Sequence, residues 1–250
     1  MIKNNIIYFV IFAVFLCSCT ATRVSSHPIK PPTESFVKII HTTEIISCKD
    51  KKDPNCPIGF HGQMGSGMAI YLFSNEMTVL TAGHVCDSQV SEAVEDSSQM
   101  IYVVDHTKTK HQAWPLMISF HDKVGAADLC ILWVPTLKVK KIRISSKAPK
   151  IGDSLYYIGA PLGVYHPPTV PIFKGVYSGR VDAVSSMVTF PAAGGSSGGA
   201  VFNEQNKIVG VVFAANRRFH HISLITSFES FRTFISKVRN KYRSGINNTQ

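Results

Sequence analysis

Three short segments of the chain hold residue types that could carry out acyl transfer. Gly194-Gly195-Ser196-Ser197-Gly198-Gly199-Ala200 contains the spacing G-x-S-G-G in one register, with Ser197 as its serine. A serine hydroxyl is a weak nucleophile until a base takes its proton, and the oxyanion formed on attack needs preorganised N–H donors. Glycines allow the tight turn that aims backbone N–H groups at one point and lets a substrate carbonyl come close. The N–H groups of Gly195 and Ser197 are the candidate donors. Alone, such a stretch would read as a flexible linker; here it lies between apolar segments, directly before a hairpin pattern.

A base and its orienter are found upstream. Val79-Leu80-Thr81-Ala82-Gly83-His84-Val85 reads as a strand running into a turn with histidine at its mouth. Imidazole titrates near neutral pH, which suits a general base. His84 is one of ten histidines, so only its context singles it out. Ala126-Ala127-Asp128-Leu129-Cys130-Ile131-Leu132 sets one carboxylate at the border of a strand apolar on both faces. A carboxylate there is costly without a partner, and an imidazole N–H is the partner that would also fix the base's tautomer. Asp122, in the preceding loop, is a less well placed candidate.

The elements that must hold these residues are mostly strands. Runs rich in Val, Ile, Tyr and Phe, separated by Gly, Pro, Asn and Asp, fall at residues 35–41, 67–73, 77–81, 101–104, 129–134, 154–159, 175–184, 187–190 and 200–215. This predicts an all-β domain, with Asn203-Glu204-Gln205-Asn206 as a hairpin turn. One helix is predicted at the end, where Thr226 and Glu229 form a capping-box pattern and Phe228, Phe231, Ile235 and Val238 recur at helical spacing. Residues 244–250 read as a polar tail.

Composition fits a folded globular chain: 250 residues, 45% hydrophobic and 17% charged. Residues 1–18 have the shape of a secretory leader, with Lys3 before an apolar run over residues 6–16 that is too short for a confident membrane span. Leu16-Cys17-Ser18-Cys19 looks like a bacterial lipobox, which would cleave after Ser18 and place a lipid on Cys19. A leader cleaved elsewhere or an uncleaved N-terminal anchor also implies export. Residues 19–34, with Pro28, Pro31 and Pro32, suit a tether.

Cys48, Cys56, Cys86 and Cys130 remain in the mature chain, and outside the cytoplasm they can pair. Sequence alone leaves three pairings open; Cys48 with Cys56 is the first expectation, because Asp53-Pro54-Asn55 between them forms turns. No metal-ligand spacing of the C-x-x-C or H-x-x-x-H kind is present, so no metal is expected. The net charge of +10 is dispersed and accompanies no nucleic-acid motif, so no nucleic acid is expected as a partner.

Together these motifs resemble the trypsin-like (chymotrypsin-fold) serine peptidases, with histidine, aspartate and serine in that family's chain order, and most closely its HtrA-type bacterial members. Gly65-Ser66-Gly67, Gly159-Ala160-Pro161-Leu162-Gly163 and Lys207-Ile208-Val209-Gly210-Val211 match further segments of that group. The resemblance covers residues 35–238. It implies two perpendicular six-stranded antiparallel β-barrels with the site in the cleft between them and a C-terminal α-helix. The domain would span residues 35–243, with the basic stretch 138–150 as connector between the barrels. It further implies a serine endopeptidase in which Ser197 attacks, His84 is the base, Asp128 orients it and Gly195 and Ser197 hold the oxyanion. Protein or peptide would be the substrate, and no cofactor is needed.

Two departures matter. Ser196 stands where digestive members have the aspartate that pairs with a new N-terminus, so activation by that route is not expected. A PDZ domain, usual in HtrA-type enzymes, is not expected after the terminal helix. Phe190, Pro191, Ala192, Ala193, Phe213, Ala214 and Ala215 would line the primary pocket and favour small or medium apolar residues. The alternative reading is an inactive protease-fold protein that binds peptides or envelope partners. An α/β-hydrolase is disfavoured because its G-x-S-x-G elbow leads into a helix and its histidine follows the serine.

Overall fold

Alternating burial along β1 (Phe36–Cys48) shows how the first half of the chain closes: Val37, Ile39, His41, Thr43 and Ile45 are all buried, and the residues between them are less so. That period of two puts one face inside a barrel. The computed structural model describes residues 30–50, 52–87, 90–119, 126–216, 218–219 and 221–247. The leader, Cys19 and Asp122 lie outside the described residues.

The first barrel contains β1, β2 (Gly59–Ile70), β3 (Thr78–Thr81), β4 (Val94–Val104), β5 (Lys110–Ser119) and β6 (Leu129–Trp133). They close in the order β1-β2-β3-β6-β5-β4. The second contains β7 (Ser154–Ile158), β8 (Ile172–Arg180), β9 (Ser185–Val188), β10 (Ala200–Phe202), β11 (Ile208–Ala215) and β12 (Ser223–Thr226), in the order β10-β11-β12-β9-β8-β7. Each ladder is antiparallel.

The strands flanking the candidate site are buried on both faces for a structural reason. In β6, Cys130 and Leu132 face the interior of the first barrel, whereas Leu129 and Ile131 join the seam between the barrels. That seam brings Met68, Ile70 and Leu80 against Ile158, Ala200 and Phe202. Each of the larger side chains among these contributes about 1.5–3 kcal/mol on burial, so the barrels are held as one body along the line where the candidate segments meet. The connector between β6 and β7 touches both: Ile142 bridges to Ile70 and Ile144 to Ile208.

The terminal helix α2 (Phe228–Asn247) seals the end of the seam with Phe231, Phe234, Ile235 and Val238. Its first turn is capped one residue later than the sequence pattern suggests. Ser227 Oγ accepts the Ser230 N–H at 3.2 Å, while Thr226 ends β12 and its Oγ1 accepts the Val211 N–H at 3.1 Å. The helix also runs to Asn247, into the stretch read as a polar tail. Strands β5 and β12, and the one-turn helix α1 (Gly83–Cys86), were not predicted as elements.

Candidate active site

His84 sits in α1, directly after β3, and Asp128 directly before β6, the strand paired with β3. This adjacency lets one carboxylate hold both ends of the histidine. Asp128 Oδ2 lies 2.5 Å from His84 Nδ1, and Oδ1 accepts the His84 backbone N–H at 2.8 Å. The Asp128 side chain is 7% exposed and the His84 ring 39%. With Nδ1 facing a carboxylate, the neutral imidazole carries its hydrogen there and leaves Nε2 as the basic atom. Gly83 is required by the same packing: a Cβ there would lie 2.1 Å from the Ser119 carbonyl oxygen and 2.8 Å from Asp128 Oδ1.

Ser197 reaches this edge from the second barrel. Its carbonyl accepts the Ser66 N–H at 2.8 Å. A Cβ on Gly65 would lie 2.7 Å from the Val85 methyls and 3.0 Å from the Ser197 oxygen, so Ser197 and the residue after His84 flank a single glycine. Gly198 has φ +88°, and a Cβ there would fall 2.0 Å from the Ser66 oxygen and 3.1 Å from the Ala82 nitrogen. Only glycine permits both that dihedral and that approach. Ser66, fully buried, is the staple between barrels: its Oγ donates to the Gly195 carbonyl at 2.7 Å and accepts the Ala160 N–H at 2.9 Å. Its Gly65-Ser66-Gly67 context gave a resemblance but no hint of this role.

The turn over residues 194–199 is set by where its carbonyls are held. The Gly194 oxygen accepts the Leu162 N–H at 2.6 Å, and the Ser196 oxygen accepts the Gly199 N–H at 2.8 Å. In a trans peptide the N–H points opposite to the C=O, so each of these bonds turns the next residue's N–H the other way. Those are the N–H groups of Gly195 and Ser197, and among the described residues neither meets an acceptor. Gly195 takes φ +89°, the left-handed region this turn demands. Leu162 donates from a left-handed position itself, φ 52°, within the Gly159–Gly163 segment.

Ser196 points into the second barrel. Its Oγ accepts the Ala193 N–H at 3.2 Å and lies 3.3 Å from the Tyr157 hydroxyl, which donates to the Pro191 carbonyl at 2.7 Å. Burial pushes the Tyr157 hydroxyl up to about 12 despite the opposing bond to Ser196, so it stays a neutral donor. A neutral hydroxyl network thus lies beside the turn over residues 194–199.

A cavity of about 480 Å³ opens beside Ser197, lined by five of the residues the sequence suggests, Ala192, Ala193, Phe213, Ala214 and Ala215, and also by Val212 and Asn216. Phe190 and Pro191 are elsewhere. Phe190 is fully buried against Tyr157 in the second barrel's core, with ring centroids 4.7 Å apart, and Pro191 offers its carbonyl to the same tyrosine. Cys48–Cys56 and Cys86–Cys130 are disulfide-bonded. Among the described residues no cluster of His, Cys, Asp and Glu could hold a metal ion.

The trypsin-like peptidase domain family model matches residues 65–211, more than half of the 250-residue chain. No curated protein matches the sequence. Among solved structures, the active form of the Rv3671c protease from M. tuberculosis superposes with a TM-score of 0.59 at 17% identity, over 83% of this chain and 82% of that one. The serine endoprotease from Yersinia pestis gives 0.54 at 18% identity, over 80% of this chain and 62% of that one. The HtrA-type protease AlgW, determined with a tripeptide, gives 0.59 at 16% identity, over 83% and 60%. The chain belongs to the trypsin-like peptidase domain family and is a serine endopeptidase.

Proposed function

We propose that Ser197, His84 and Asp128 form the catalytic triad and cleave peptide bonds through an acyl-enzyme. The carrying observation is the bidentate hold of Asp128 on His84, through Nδ1 at 2.5 Å and the backbone N–H at 2.8 Å. In this reading, His84 Nε2 takes the Ser197 hydroxyl proton as Oγ attacks the scissile carbonyl. The oxyanion rests on the N–H groups of Gly195 and Ser197, and His84 then protonates the leaving amine. Water repeats the sequence to free the acyl group. One oxyanion donor is worth about 3 kcal/mol of transition-state stabilisation.

The alanines and Phe213 of the cavity beside Ser197 support small or medium apolar residues on the acyl side of the cut. The two disulfides fit a chain that folds outside the reducing cytoplasm. Export through the leader, with a lipid on Cys19 where the lipobox is used, would place the enzyme at the bacterial cell envelope. Loss of palmitate labelling in Cys19→Ala tests the anchor.

A fluorophosphonate probe tests the triad. It should label the folded protein and not Ser197→Ala. Absence of labelling across neutral pH overturns the reading in favour of a peptide-binding protein that has kept the fold.

A further inference from the structure

A second cavity, about 530 Å³, opens against His84 and, among the described residues, shares no lining residue with the one beside Ser197. Among the residues lining it are His41, Thr43 and Ile45 of β1, Gln63 of β2, and Asp87 and Val90 after α1. Three of its polar side chains, His41, Gln63 and Asp87, present acceptors. The His41 ring is buried, and its Nδ1 lies 3.0 Å from the Val85 carbonyl oxygen. That oxygen can only accept, so Nδ1 carries the hydrogen and Nε2 of the neutral ring is an acceptor. Among the described residues no donor reaches this buried Nε2.

Gln63 contributes the second acceptor. Its Nε2 lies 3.2 Å from the carbonyl oxygen of His84 and 3.4 Å from those of Val85 and Asp87. Nε2 is also 3.1 Å from His41 Nδ1, but three carbonyls stand ready for its two hydrogens. The amide hydrogens are committed to the end of α1, which leaves Oε1 to accept. Asp87 is the third: half-buried, with no partner for its carboxylate among the described residues. Also lining the cavity, His61 Nε2 is taken by the Pro57 carbonyl at 2.9 Å.

A buried acceptor without a donor is costly to leave unmade. The ligand this cavity suits therefore brings donors and a positive charge, and an alkyl stem that Ile45 and Val90 can cover. Its position says where that ligand sits. A base that protonates the leaving amine must face the segment after the cleaved bond, and this cavity lies against that base. We propose that it is a subsite for a lysine or arginine side chain among the first three residues after the cleaved bond. The inference rests on His84 and Ser197 acting as proposed above.

The test is a peptide series of one sequence with Lys, Arg, Gln or Glu at each of those three positions, cleaved by the mature protein. Lys or Arg should exceed Glu in kcat/KM by about tenfold at one position, chiefly through KM. That ratio should fall towards one in Asp87→Asn and invert in Asp87→Lys. Hydrolysis of a small activated ester, which has no residues after the cleaved bond, reports separately on Ser197. Ester turnover without any basic preference overturns the subsite and leaves the triad standing. Absence of both ester turnover and fluorophosphonate labelling removes the triad reading, and the subsite with it.

Discussion

Cys86 lies two residues after His84 and Cys130 two residues after Asp128, and the two cysteines are joined. The bridge therefore crosses the same gap as the His84–Asp128 hydrogen bonds, from α1 to β6, and restrains the separation of His84 and Asp128 covalently. It also closes a loop of 44 residues, for which the chain-entropy account gives about 4 kcal/mol of stabilisation. Replacing both cysteines by serine should lower the unfolding free energy by that order in denaturant titration. Residual folded protein should lose kcat more than it gains KM. The Cys48–Cys56 pair spans only 8 residues and lies at the end of β1, so its removal should cost less stability.

Asp128→Asn separates orientation from folding. The amide can still accept the His84 backbone N–H, but at Nδ1 it favours the wrong tautomer whenever its NH₂ faces the ring. The variant should remain folded and lose about 10⁴ in kcat, with KM little changed. A loss confined to KM, with kcat intact, would show that Asp128 does not orient the base.

The candidate segments are legible in the sequence because their residue types are unusual for their surroundings: a carboxylate at the mouth of a strand apolar on both faces, and six consecutive Gly/Ser residues between strands. The elements that escaped notice lack such contrast. β5 hides its inward face as His111 and Ala113, and its register shifts between Pro115 and Met117, so no alternation of large apolar residues marks it. β12 has only four residues, and Ser223 and Thr226 are buried through hydrogen bonds instead of apolar character. Phe190 is near Ser197 in sequence, which suggests the pocket, but its ring packs into the barrel core. Ser66 could not be recognised as a staple, because its partners at Ser197, Gly195 and Ala160 are distant in sequence.

The glycines of the turn over residues 194–199 are not equivalent. Gly194 has open space where a Cβ would go and no positive φ, so Gly194→Ala should keep kcat/KM within about threefold. Gly198 combines φ +88° with a Cβ position 2.0 Å from the Ser66 oxygen and 2.1 Å from Thr81 Oγ1. Both obstacles belong to the inter-barrel contact, so Gly198→Ala must displace Ser197 or open the seam. Its kcat/KM should fall by at least about 10²-fold. Equal activity in the two variants would show that the turn tolerates a shift.

Asp105 makes stability sensitive to acid. Burial alone would raise its carboxyl, but bonds from the Thr107 hydroxyl, the His111 ring and the Thr107 and Thr109 N–H groups outweigh it and hold the group below the usual 3.8. These bonds fasten the turn between β4 and β5, with Thr107 Oγ1 at 2.6 Å and His111 Nε2 at 3.0 Å. Because the folded carboxyl binds its proton less readily than the unfolded one, its contribution is complete above the unfolded value. It is lost as pH falls through the lower folded value. Denaturant midpoints measured from pH 6 down to pH 3 should therefore decline at the acid end. Asp105→Asn should cost about 2–3 kcal/mol at pH 7 and show a shallower acid decline, since the group that titrates differently between the two states is gone.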